Sequence, residues 1–240
     1  MNFSQELVIF LLPYAIKIFK KVLKKAGLPY GAESYVEIRG FLARHYDTLL
    51  DLATVGFYKN FVKDVISEMN IQPNDMILDM GAGTGRNDLL MLDYLEEGKV
   101  TGLEIGEEMK KQFQEKSYYH DNLKLIELRI EKDLPFEDEF DKVFISFTLH
   151  GFEQEDRIKI IENASKALKK WGKFFILDYN EFDLSKEPFY IKVLFRLECD
   201  LASDYIKRDW KNILKERGFS VQNEHLYLKN LIRLLELKKY

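Results

Sequence analysis

The spacing of apolar residues changes character near residue 70. Downstream of it, short apolar runs alternate with stretches in which apolar residues recur every three or four positions, the patterns of strand and helix in turn. Met76-Ile77-Leu78 opens a first strand, and Leu89, Leu90, Leu92 and Leu95 place a helix over 86–97. Val100 to Ile105 predicts a second strand, 106–117 a second helix and Leu123 to Leu128 a third strand. Phe140 to Phe147 is mostly apolar, as a strand covered on both faces should be. A helix over 153–169, with Ile158, Ile160, Ile161, Ala164 and Leu168 turned inward, leads to a fifth strand at Lys173 to Leu177.

This alternation predicts an α/β fold with a doubly wound, mostly parallel sheet. A helix over 204–217 stops at Gly218, and strands follow at 219–228 and 231–239. Too little chain lies between those two for a crossover helix, so they should pair antiparallel. Two stretches stand outside the rhythm. Residues 1–70 form a helical extension that belongs to no β-α unit, which leaves 71–240 as the main domain. Inside that domain, 181–203 carries Phe182, Leu184, Phe189, Val193 and Phe195, too apolar for a solvated loop, and reads as a substrate insertion.

Charge and cysteine content narrow the classes. With 36 basic and 40 acidic residues, the bulk charge carries no sign of a nucleic-acid partner. Cys199 is the single cysteine, so no disulfide can form within the chain and no Cys/His metal spacing exists. That fits a reducing cytoplasm, and no metal site is expected.

The candidate chemistry starts at "ILDMGAGTGR", residues 77–86. A phosphate-binding Walker loop needs Lys and Ser or Thr after its last glycine; here Arg86 and Asn87 follow Gly85. The dinucleotide fingerprint is G-x-G-x-x-G, whereas Gly81, Gly83 and Gly85 give G-x-G-x-G. Asp79, at the end of the first strand, would repel a pyrophosphate and attract an ammonium group. A ligand with an amine beside a carboxylate suits it, the carboxylate taking backbone N–H groups of the loop and helix start. Glu104 ends the second strand about 20 positions on, where an acid accepts both ribose hydroxyls. An amino acid at one end and a ribose at the other describe S-adenosylmethionine.

At these residues the chain resembles a family. "ILDMGAGTGR", "VTGLEIGEEMKKQF", "DLPFEDEFDKVFISFTLHGF" and "ALKKWGKFFILDY" look like the successive core motifs of class I S-adenosylmethionine-dependent methyltransferases, over roughly 74–180. "RHYDTLLDLATVGFYKNFV", residues 44–62, is similar to the N-terminal helices of the ubiquinone/menaquinone methyltransferase-like group, which close over the cofactor. The resemblance implies a seven-stranded sheet with its last strand antiparallel. It implies cofactor contacts from Asp79, Gly81, Ala82, Gly83, Gly85, Glu104, Ile105, Met109 and Phe147, with Ile105 and Met109 beside the adenine, and Tyr46 near the methionine part. After the third strand the family often places an Asp on the adenine amino group. This chain reads "LRIEKDLPF", leaving Glu131 or the backbone near Ile130 as substitutes. Trp171 stands where the family often has glycine and is expected to pack.

Methyl transfer from a sulfonium needs an aligned acceptor in a site that excludes water. His150 follows the fourth strand at the end where cofactor and substrate meet, and histidine is a natural base near neutral pH. Tyr179, with Asp178, ends the fifth strand at the same crevice; Tyr46 joins His150 and Tyr179 as a candidate catalytic residue. The N-terminal segment adds a surface. Lys17, Lys20, Lys21, Lys24 and Lys25 line one helical face, no acid occurs between Glu6 and Glu33, and the apolar run is too short to span a bilayer. Residues 7–26 therefore predict peripheral contact with the inner face of a membrane, and with it an apolar acceptor such as a quinone precursor. The quinone branch usually shows Arg-Asn-Val after the fourth strand, where this chain has Leu149-His150-Gly151-Phe152. N-methylation of a phospholipid head group is the alternative within the family. Outside it stand a nicotinamide-dependent oxidoreductase, which Asp79 and the glycine spacing oppose, and a non-catalytic membrane-surface module.

Overall fold

The computed structural model describes Asp47, residues 57–197 and residues 200–240. Tyr46, the lysine-rich segment 7–26 and Cys199 lie outside the described residues. A helix, α1 (Phe57–Glu68), precedes the sheet and buries Phe61, Val62, Val65 and Ile66 on one side, the i, i+1, i+4, i+5 stripe of an amphipathic helix. Then come β1 (Met76–Met80), α2 (Arg86–Leu92), β2 (Lys99–Leu103), α3 (Glu107–Ser117) and β3 (Leu123–Ile126). β4 (Phe140–Ser146), α4 (Gln154–Ala167) and β5 (Leu168–Tyr179) complete the parallel part. Two short helices, α5 (Phe189–Leu197) and α6 (Asp200–Tyr205), occupy the insertion; α7 (Trp210–Glu216), β6 (Phe219–Tyr227) and β7 (Ile232–Lys239) follow.

The seven strands form one sheet in the order β3-β2-β1-β4-β5-β7-β6. Strands β1 to β5 are parallel, and β7 runs against both β5 and β6. The expected fold is thus the observed one, with the single reversed strand in place. The order reverses between β1 and β4, which puts the crevice of an open sheet beyond the carboxyl ends of those strands. Central strands carry the core: Ile77, Leu78, Val143, Phe144, Phe174 and Phe175 are wholly buried.

Several boundaries differ from expectation for local reasons. The helix expected over 204–217 is two helices, because the Asp209 side chain accepts a hydrogen bond from Asn212 N and caps a new start at Trp210. β5 begins at Leu168, not Lys173, and α4 ends at Ala167. Trp171 does not pack inward. It is 57 % exposed at φ +68°, the left-handed region that glycine tolerates best, with Lys170 and Lys238 over its ring. The β6–β7 turn holds Leu228, Lys229 and Asn230 all at positive φ.

Candidate active site

The glycine loop leaves β1 and turns back over the end of β2. Gly81 and Ala82 both donate to Leu103 O, at 3.0 and 2.9 Å. Gly81 sits at φ +89°, and a Cβ there would lie 2.9 Å from the Thr148 side chain, so the approach of the β4 loop requires glycine. Gly83, also at positive φ, faces open space. Gly85 caps α2. The loop is fixed from a third side by Asp47, which accepts from Thr84 Oγ1 at 3.0 Å and from Lys116 Nζ at 2.6 Å.

Glu104 gathers backbone donors. Its Oε1 accepts from Ile105 N (2.8 Å) and Gly106 N (2.6 Å), and its Oε2 from Gly83 N (3.0 Å). The carboxylate therefore joins the glycine loop to the start of α3 and is held in one orientation, with lone pairs left for a ligand. Neither it nor Asp79 is a solvated strand-end acid. Asp79 is 1 % exposed, and no described donor reaches its oxygens. Burial first, then the Asp88 carboxylate beside it and Glu104 further off, hold the Asp79 carboxyl well above the usual range.

A cleft of about 260 Å³ opens beside this loop. Gly81, Glu104, Ile105, Ile130, Glu131 and Thr148 are among its walls. Met109 is buried under Gly106. At the far wall Glu131 accepts from Arg129 Nη1 at 3.0 Å, and Ile130 O accepts from Asn163 Nδ2 at 2.8 Å. Asn163 also donates to Lys132 O at 2.6 Å, so one buried amide sets the shape of the segment after β3. With Glu153 and Asp156 added, the acidic side chains on the cleft walls outnumber its one basic lining residue, Arg129. Such walls favour a ligand with net positive charge.

His150 stands next to the cleft, in a 3₁₀ turn over Leu149–Gly151. Its Nδ1 lies 2.7 Å from Asp178 Oδ1 and its backbone N donates to Asp178 Oδ2 at 3.1 Å. Asp178, 2 % exposed, also accepts from Tyr179 N at 2.8 Å. The histidine ring meets the Tyr179 ring at 4.9 Å, and Tyr179 in turn meets Phe195 at 4.9 Å and Phe147 at 6.4 Å. Phe182, Phe61 and Tyr227 extend this aromatic cluster. Phe147, expected beside the cofactor, thus borders the aromatic side. Beneath the turn lies Arg157, fully buried on α4. It donates to Leu149 O, His150 O and Leu201 O, and reaches Asp204 at 2.6 Å. Its spacing with Ile160, Ile161 and Ala164 put it on the inner face of α4; a cation there is the signal that sequence reading passed over.

Among the described residues no group of side chains could hold a metal ion, and no helix is long and apolar enough to cross a membrane.

A family model described as a methyltransferase domain matches residues 77–172. Among curated proteins, the chain is similar to the demethylmenaquinone methyltransferase of Symbiobacterium thermophilum, 30 % identical over 158 residues, which are 62 % of this chain and 61 % of that one. It is similar also to the ubiquinone/menaquinone biosynthesis C-methyltransferase UbiE of Rickettsia rickettsii, 32 % identical over 68 % of this chain and 66 % of the relative. The match thus spans about three fifths of the length of the first of these relatives. Among solved structures, a putative O-methyltransferase from Nostoc punctiforme aligns with a TM-score of 0.69 at 17 % identity, covering 97 % of this chain and 72 % of that one.

Proposed function

Because the chain belongs to the class I S-adenosylmethionine-dependent methyltransferases, we propose that it transfers the methyl group of that cofactor to an apolar acceptor, an aromatic ring of the quinone-precursor type. The observation that carries this reading is the aromatic enclosure around His150, built directly beside an acid-walled cleft. The cleft suits a cation with a ribose, and the aromatic cluster beside it a flat apolar ring.

The residues fit the cofactor. Asp79 is a buried carboxylate lacking a described donor, which an ammonium group would complete. Glu104 is oriented for two ribose hydroxyls, and Ile105, Met109 and Ile130 offer apolar surface to an adenine. Glu131, held by Arg129, takes the place of the family's Asp toward the adenine amino group. Gly83 leaves room on the ligand side of the loop. When bound, the cofactor supplies an electrophilic methyl on a sulfonium sulfur.

The chain's own part is to orient, to exclude water and to move one proton. Asp178 accepts from Nδ1–H of His150, which makes Nε2 the basic nitrogen of the neutral ring. That nitrogen takes the proton from an acceptor hydroxyl as the ring carbon attacks the methyl, and Asp178 stabilises the imidazolium that results; the ring C–H proton is then lost to solvent as the ring becomes aromatic again, and the imidazolium returns its proton to the oxygen. Tyr179, against the same ring, completes the acceptor side in this reading.

Labelled S-adenosylmethionine, incubated with the protein and either a short-chain prenylated hydroquinone or amine-headed phospholipid vesicles, tests the acceptor. Label in the hydroquinone is expected; label in the phospholipid amine alone would overturn the aromatic reading. His150→Ala and Asp178→Asn should each lower kcat by about 10²–10⁴ with cofactor affinity nearly unchanged. Full turnover in His150→Ala would make that histidine a structural residue.

A further inference from the structure

Asp88 has no part in the chemistry above, yet it is 0 % exposed on the inner face of α2, beside Met91, where an apolar residue would pack without cost. It faces Asp79 across the base of the glycine loop. All four oxygens of the two carboxylates are buried, and no donor from another described residue reaches them; the one donor acting on Asp88 is its own backbone N–H. Each carboxyl acts on the other through charge and hydrogen bonding. Two carboxylates so placed cannot both ionise comfortably; they are stable when one proton bridges them.

We propose that Asp79 and Asp88 share a proton in the empty protein, and that the ammonium group of the cofactor displaces it on binding, so that Asp88 sets cofactor affinity as a positioning residue behind Asp79. The proposal rests on the cofactor reading given above. Its balance is simple: one ammonium enters, one proton leaves to solvent, and both carboxylates are then anions beside a cation. Glu104, at the end of β2, is the other acid acting on Asp79, and Lys116, on α3, is the cation acting on Asp88. Lys116 is itself engaged by Asp47 and by Thr84 O, which limits what it does for Asp88. Burial raises both carboxyls, that of Asp88 to about 7 and that of Asp79 well above the ordinary value, so the shared proton is present at neutral pH. The sign follows. Raised carboxyls hold the proton below that range, the ammonium must expel it, and affinity therefore falls as pH falls.

S-adenosylhomocysteine carries the same amino-acid tail without the reactive methyl, and 5′-methylthioadenosine lacks the tail. Both would be titrated calorimetrically into the full chain, in buffers of different ionisation enthalpy. The window is about pH 6 to 7.5, below the ordinary titration of an α-amino group at about 7.7–8.0. S-adenosylhomocysteine should release about one proton and bind roughly tenfold tighter for each pH unit gained. Methylthioadenosine should bind with little release. In Asp88→Asn, the amide donates to an ionised Asp79, and the proton release and the pH slope should largely vanish. Release of no proton by the unmutated chain, or equal release with both ligands, overturns the shared proton and leaves the cofactor site standing. Failure of both ligands to bind overturns the site as well.

Discussion

Single residues in this protein are fixed by what surrounds them more than by their type. Glu104 could have been a surface acid; three backbone N–H groups make it a rigid acceptor instead. Replacing it with Ala would remove the charged bonds proposed to a ribose, together about 1.5–3 kcal/mol. Cofactor affinity should fall roughly 10- to 100-fold by calorimetry, and an unchanged affinity would place the ribose elsewhere. Glycine at 81 is set by Thr148, which would meet any side chain there. Trp171 shows the opposite case: at a left-handed position where the resembling family often has glycine, the ring stays outside between two lysines.

At the level of elements, α4 does more than cover the sheet. Through Arg157 it ties the His150 turn to α6, and so joins the proposed base to the insertion proposed to wall the acceptor. Arg157→Leu keeps much of the volume but strands buried carbonyls at about 1–3 kcal/mol each. Thermal unfolding should show a fall of about 2–4 °C for each kcal/mol lost. kcat should drop while cofactor affinity holds; a variant with a lower Tm and full kcat would limit Arg157 to stability. The central strands and the glycine loop were legible in the sequence because period and turn chemistry are local. The first five residues of β5, Leu168 to Gly172, were not, since two lysines and an exposed Trp mask a strand start that pairs with β4 at Leu168, opposite Phe140. Asp178 was visible as a strand-end acid at the crevice. Its pairing with His150 was not, because that contact depends on β4 and β5 lying side by side. Arg157 and Asp88 were hidden for one shared reason: a charged residue on an inner helix face reads as solvated until the burial of its neighbours is known.

At the scale of the whole molecule, the site draws on chain from before and after the five parallel strands. Asp47 comes to the glycine loop from the N-terminal side, and α5 and α6 lie beyond β5. The lysine-rich segment 7–26 precedes Asp47 in the sequence, and the peripheral membrane role expected of it would give the proposed apolar acceptor a route that avoids water. Replacing Lys17, Lys20, Lys21, Lys24 and Lys25 with Gln should release the protein from anionic vesicles in co-sedimentation at low salt. Cofactor affinity should stay intact. If the unmutated protein remains in the supernatant under those conditions, the membrane role is wrong. The sheet order has a further consequence, for assembly on the ribosome. β7 follows all its neighbours in the chain yet lies between β5 and β6. Until residues 232–239 have emerged, β5 presents an unpaired edge bearing Phe174, Phe175 and Ile176, and β6 has nothing to dock on. A nascent chain that stalls short of that point displays the open apolar edge on which strands of other chains can add. The interval between synthesis of the fifth strand and of the seventh is therefore the period in which this protein most needs a chaperone.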